Sequence, residues 1–156
     1  MECIKGVRIE KALPSNFADL LILYKEAYTE KAGLKPWPHL SLQDLKEAAF
    51  NNIQELAQPN VVCFLARRGK KYVGFIFGRI IERRVGSPKH SMFVEMCFIT
   101  KTKRKLGIGD CLAKKMLELS SNLGLGSIEI MCNDELKDKW LKYGGAKIYN
   151  YLVKEL

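Results

Sequence analysis

Glu95-Met96-Cys97-Phe98-Ile99-Thr100-Lys101-Thr102-Lys103-Arg104-Lys105-Leu106-Gly107-Ile108-Gly109-Asp110 is the stretch that decides how this chain folds. Its first part belongs to a strand predicted over Ser91 to Thr100, with Phe93, Glu95, Cys97 and Ile99 on one face. A basic cluster follows, Lys101, Lys103, Arg104 and Lys105, and then the glycine pair Gly107 and Gly109. From Ile108 onward, Leu112, Met116, Leu119 and Leu123 recur at helical spacing until Gly124 and Gly126 end the pattern. A strand thus enters a glycine loop that opens a helix. The glycines let the backbone turn sharply and approach a ligand closely. The first helical turn offers unpaired N–H groups and the positive end of the helix dipole, which together suit a phosphate. The basic cluster draws the same anion from a distance. Two other phosphate motifs do not match. A Walker loop needs Gly-Lys-Ser/Thr, but Asp110 and Cys111 follow Gly109; a dinucleotide fingerprint needs a third glycine where Leu112 stands.

Upstream, Val7 to Lys11 alternates as a first strand. Pro14-Ser15-Asn16 starts a helix whose buried stripe is Phe17, Leu20, Leu21, Tyr24, Ala27 and Tyr28. Gly33 to Pro38 breaks it and holds Trp37 between two prolines. Ser41 and Asp44 resemble a capping box, and Leu42, Leu45, Ala49, Ile53 and Leu56 give the next helix its stripe. Gln58-Pro59-Asn60 ends that helix. Val61 to Arg67 and Lys71 to Ile81 then read as a hairpin turning at Arg68-Gly69-Lys70. Arg83 to Lys89 is a loop. Downstream of the deciding stretch, Ser127 to Cys132 is a strand, Asp134 to Tyr143 a helix closed by Gly144-Gly145, and Ala146 to Lys154 a last strand. The order is β-α-α-β-β-β-α-β-α-β, without repeat or linker, and the expected architecture is one α/β domain over residues 1–156.

Composition agrees. A chain of 156 residues with 47% apolar and 28% charged residues can bury a core. Its longest apolar runs, such as Val61 to Ala66, are too short for a bilayer, and the N-terminus lacks a secretory design, so a cytoplasmic protein is expected. Cys3, Cys63, Cys97, Cys111 and Cys132 show no CxxC spacing and mostly sit in apolar segments, which favours buried thiols over disulfides, metal ligation or nucleophilic roles. His39 and His90, both in loops, complete no metal-ligand spacing, so no metal is expected. The net charge of +9 fits a nucleic acid, an acidic membrane or a polyanionic cofactor, but zinc-finger spacing, an RNA-recognition aromatic motif and a clear helix-turn-helix are all missing.

Arg104-Lys105-Leu106-Gly107-Ile108-Gly109 resembles the R/Q-x-x-G-x-G/A signature of the GNAT superfamily of N-acetyltransferases, whose element order also matches nearly the whole chain. Asn133, with Trp140 seven residues on and then Gly144-Gly145, resembles a second family pattern. The resemblance implies that acetyl-CoA is the co-substrate. Backbone amides from Arg104 through Lys105, Leu106, Gly107, Ile108 and Gly109 to Asp110 are expected to hold its pyrophosphate. Cys97, Phe98 and Ile99 are expected to pair with the pantetheine arm, where their strand splays from the next. Asn133 would bond the cofactor and Trp140 would pack beside its thiol end.

Two residues are candidates for proton transfer. Glu95 suits a general base for the acceptor amine; the plain alternative is a carboxylate turned to solvent or paired with Arg79 or Arg83. Relatives often carry tyrosine where Trp140 stands, and an indole is no practical acid. Tyr143, one turn away, is the substitute donor, against a packing role. The resulting expectation is an acetyl-CoA-dependent N-acetyltransferase acting on a small-molecule or protein amine. The rival is a catalytically weak acetyl-CoA sensor, which Trp140 favours. The acceptor and the oligomeric state, a homodimer included, stay open at this point.

Overall fold

In the computed structural model the described residues are 2–30, 41–82, 89–130, 141–143 and 146–148. The strands are β1 (Glu2–Ile4), β2 (Val7–Lys11), β3 (Val61–Arg68), β4 (Lys71–Glu82), β5 (His90–Ile99), β6 (Ser127–Ile130) and β7 (Ala146–Ile148). They lie side by side in chain order as one mixed sheet. Pairing is antiparallel from β1 to β5 and parallel from β5 to β6 and from β6 to β7. The helices are α1 (Phe17–Thr29), α2 (Leu42–Gln54) and α3 (Ile108–Asn122). The expected order therefore holds through the described residues. β1 is an addition, three residues long, which is too short for periodicity to register. Of the expected last helix and strand, Leu141 is helical and Ala146–Ile148 forms β7; the remainder lies outside the described residues.

Local chemistry accounts for the elements. Ser41 caps α2: its hydroxyl accepts from the Asp44 N–H at 3.2 Å, and its own N–H donates to the Asp44 carboxylate at 2.7 Å. Gly69, with φ of +60°, supplies the left-handed residue of the β3–β4 turn. A β-carbon on Gly74 would stand 2.6 Å from the Phe98 carbonyl oxygen, so glycine there lets β4 and β5 approach.

Each face of the sheet carries a core. On one face, α3 buries Ile108, Leu112, Ala113 and Met116 against Val62, Ile76, Met92, Val94, Ile128 and Ile130. On the other, α1 and α2 bury Leu20, Leu23, Tyr24, Ala27, Tyr28, Ala49 and Ile53 against Leu65, Phe75, Phe77 and Phe98. Fully burying each of the valine, leucine, isoleucine, methionine and phenylalanine side chains is worth about 1.5–3 kcal/mol. The α1 stripe differs slightly from the expected one: Leu23 is buried, while Phe17 and Leu21 sit half-buried at its rim. The cysteines divide. Cys63 and Cys97 are free thiols. Cys111, buried on α3, is disulfide-bonded, against the expectation of thiols throughout. Whether a cysteine pairs depends on which thiol the fold brings within reach, and sequence spacing does not show that.

Candidate active site

Three features of the β5–α3 passage build the site. The first is a bulge. β5 pairs with β4 as Phe77↔Met96 and then Gly78↔Val94, so Glu95 is the extra residue. The bulge breaks the strand's alternation. Before it, Met92 and Val94 face α3; after it, Cys97 and Ile99 do. Met96 and Phe98 face α1 and α2. The single face expected for Phe93, Glu95, Cys97 and Ile99 is thus split. Glu95 turns toward the α1/α2 side, where it meets Arg79, and Cys97 and Ile99 point to α3.

The second is the loop. Lys105 has φ of +63° and Gly107 φ of +78°, two left-handed residues within three positions. For lysine this conformation costs about 1–2 kcal/mol and persists only where the surroundings impose it. Such a path turns successive N–H groups toward one side, a concavity suited to anions. Gly107 caps α3, so the loop amides and the first-turn amides converge there. Gly109 is the telling residue, because neither its backbone nor its packing calls for glycine. A β-carbon there would meet only Ile99 Cγ1 among the described residues, at an ordinary 3.9 Å. Outside its chain neighbours and its own helix backbone, no other described residue comes within 4 Å of that position. Arg104 behaves differently from its neighbours. Its guanidinium donates to the Ile99 carbonyl at 3.0 Å, pairs with Glu30 and lies over Phe98, 5.6 Å from the ring centre. Its side chain ties the loop to the end of α1.

The third is a chain of charges on the α1/α2 face. Arg79 Nη2 pairs with Glu55 at 2.7 Å, and Arg79 Nε pairs with Glu95. One guanidinium thus serves two carboxylates. Of the two partners foreseen for Glu95, Arg79 is the one described; Arg83 lies outside the described residues. Glu129, buried on β6 opposite Phe93, lies on the same face of the sheet. Sequence reasoning passed over Glu55 and Glu129 and treated Arg79 only as a partner. The available signal was a charge inside an apolar strand: Arg79 follows Phe75-Ile76-Phe77-Gly78, and Glu129 stands between Ile128 and Ile130.

Tyr143 donates its hydroxyl proton to Asp110 at 2.5 Å, joining the chain beyond β6 to the first turn of α3. Burial first, and then this bond, raise its pKa well above the ordinary phenol value, so the proton is held rather than offered. Cys97 is pushed up to about 12 by burial and then by the charge of Asp110, and is no ready nucleophile. β5 pairs with β6 from Ser91↔Ser127 to Val94↔Ile130. The partner of Glu95 to Ile99 on that side, the expected splay, Asn133 and Trp140 lie outside the described residues, as do Trp37 and His39. A shallow groove of 380 Å³ between α1 and α2, lined by Leu21, Lys25, Lys46 and Phe50 among others, carries neither the loop amides nor the ion-paired carboxylates. Among the described residues no His/Cys/Asp/Glu group is placed to hold a metal, and no helix is long and apolar enough to cross a membrane.

The sequence model of the acetyltransferase (GNAT) family matches residues 17–139. The chain belongs to that family. No curated protein matches the sequence. Solved structures match over almost their whole length. A GCN5-related N-acetyltransferase from Ralstonia eutropha has a TM-score of 0.78 at 12% identity, covering 97% of this chain and 99% of that one. A predicted acetyltransferase from Clostridium acetobutylicum, solved with acetyl-CoA, has a TM-score of 0.74 at 15% identity, covering 96% of each chain. An aminoglycoside acetyltransferase from an uncultured soil metagenomic sample, in complex with sisomicin, has a TM-score of 0.66 at 16% identity, covering 97% and 95%. At these identities the likeness is one of fold.

One prediction concerns alkali. The Tyr28 phenol is pushed up to about 12, by burial and then by the charge of Glu95, from an ordinary 10.0. Cys97 rises to about 12 from 9.0. Groups whose folded pKa is raised contribute stability that is fully present below the unfolded value and lost as pH climbs toward the folded one. Tm followed by circular dichroism should therefore hold steady up to about pH 9 and fall between about pH 9 and pH 12. A flat Tm across that window would show that water reaches both groups.

Proposed function

We propose that this GNAT-family protein binds acetyl-CoA on the loop from Arg104 to Asp110 and transfers its acetyl group to a primary amine. The supporting observation is Gly109 at a helix N-terminus, where neither the backbone angle nor any close contact among the described residues calls for glycine. The relatives solved with acetyl-CoA or sisomicin support the same class of chemistry. Acetyl-CoA supplies, when bound, a thioester carbon that an amine attacks, forming the C–N bond as the C–S bond breaks and coenzyme A departs as thiolate. Leu106 to Asp110 bind phosphate through their N–H groups, with Lys101, Lys103 and Lys105 adding attraction. The backbone of Cys97, Phe98 and Ile99 orients the arm, with Asn133 and Trp140 flanking it. Glu95 takes the proton that the amine loses and returns it to solvent. Its Oε1 is bonded to Arg79, while none of the described hydrogen bonds engages Oε2.

The sensor reading has one observation in its favour. Tyr143, the substitute for the missing acid, keeps its proton and spends it on a hydrogen bond to Asp110. A coenzyme A thiolate is a weaker base than an amine and leaves without an acid if positive potential is near, as the α3 start offers. Slow but real transfer is therefore expected. Mass spectrometry of the purified protein with acetyl-CoA and a panel of amines tests it. An acetylated amine and free coenzyme A support the enzyme; tight acetyl-CoA binding with no acetylated product in the panel would leave the sensor.

A further inference from the structure

The α1/α2 face carries more negative charge than proton transfer needs. Glu55, Arg79 and Glu95 form one ion-paired set that bears a net single negative charge, on a chain whose total is +9. Their side chains are 32%, 25% and 21% exposed, so a ligand reaches them. Phe77 stands on the same face of the sheet as the set. Arg79 stands 6.0 Å from the centre of the Phe77 ring. The Tyr28 hydroxyl feels the charge of Glu95. The Tyr24 hydroxyl feels it too, is wholly buried, and makes no hydrogen bond among the described residues. Asn52 is near enough to ease the titration of Tyr24 but lies outside hydrogen-bonding geometry. An orphaned buried hydroxyl is destabilising unless a ligand or a water completes it. Partly exposed carboxylates beside an aromatic ring make a seat for an ammonium ion.

Resting on the acetyl-transfer reading, we propose that the acceptor is an aliphatic diamine or polyamine, and that a second, protonated amine seats on the Glu55–Arg79–Glu95 set. The nitrogen that attacks must be neutral, so it draws nothing from a standing negative charge once its proton is gone. A second ammonium a few carbons away keeps its charge throughout and gains from the set in the free and the reacting complex alike. Its contribution therefore falls on KM rather than kcat.

The test compares a four-carbon diamine, putrescine, with butylamine of the same chain length. The wild type should favour the diamine about tenfold or more in kcat/KM, as expected for one partly screened ion pair, with the difference in KM. Raising the salt should shrink that ratio toward one, since the interaction is partly exposed. Glu55→Gln should shrink it as well. Calorimetry of putrescine with the protein supplies a readout that needs no turnover, and acetyl-CoA binding checks that the variant is folded. Equal kcat/KM for both amines, or a preference that neither salt nor Glu55→Gln alters, overturns the proposal while leaving acetyl transfer standing. Salt-sensitive putrescine binding that Glu55→Gln abolishes, in a protein that acetylates neither amine, supports the amine seat and overturns the transfer reading instead. Absence of putrescine binding overturns the seat itself.

Discussion

Gly109→Val should lower acetyl-CoA affinity about 100-fold or more, equivalent to about 2.8 kcal/mol, with Tm and the circular dichroism spectrum essentially unchanged. The reasoning separates ligand from fold. Gly109 has no left-handed backbone, and among the described residues an added β-carbon meets only Ile99 Cγ1, at 3.9 Å. In helix propensity valine is a few tenths of a kcal/mol better than glycine, so the helix itself loses nothing. What it fills is the space in front of the first-turn amides, where a pyrophosphate must approach to within hydrogen-bond distance. Gly107→Val is a poorer probe. It forces a β-branched residue to φ of +78° and brings its β-carbon to 3.3 Å from Ile4 Cδ1, so lost binding would mix with damaged structure. Calorimetry on Gly109→Val gives the clean comparison. Wild-type affinity in that variant would move the phosphate site off this loop and withdraw the main support for the proposed cofactor.

The contrast between these glycines shows what was legible in the sequence. Gly107 and Gly109 stood out together as a pair before a helix, and the strand–loop–helix passage followed from period and punctuation alone. Their different reasons for being glycine did not, because one is a matter of backbone angle and the other of empty space. The Glu95 bulge was hidden for a related reason. Sequence alternation counts residues, and a bulge inserts one without changing any residue type. The strand was therefore read as one face, while its second half is turned over. The Arg79 bridge joins Glu55 on the turn after α2 to Glu95 on β5, and only the paired sheet brings these three together. Tyr143 was recognisable as a neighbour of the site, but its bond to Asp110 was not, since the two sit on elements separated by β6.

Glu95→Gln should lower turnover at neutral pH by roughly 10²–10⁴-fold while leaving acetyl-CoA affinity within about twofold. The substitution is conservative where structure is concerned. The amide oxygen still accepts from Arg79 Nε, the bulge stays, and Arg79 keeps Glu55 at 2.7 Å. What is lost is an oxygen able to take a proton from the attacking amine. That loss predicts a pH signature that a packing defect lacks. As pH rises toward the pKa of an aliphatic amine, near about 10.4, the acceptor arrives already neutral and the variant should close on the wild type. The role of Glu95 is lost if Glu95→Gln keeps wild-type turnover across the profile. It is lost too if its deficit is constant with pH, because a constant deficit marks misplacement of substrate rather than a missing base.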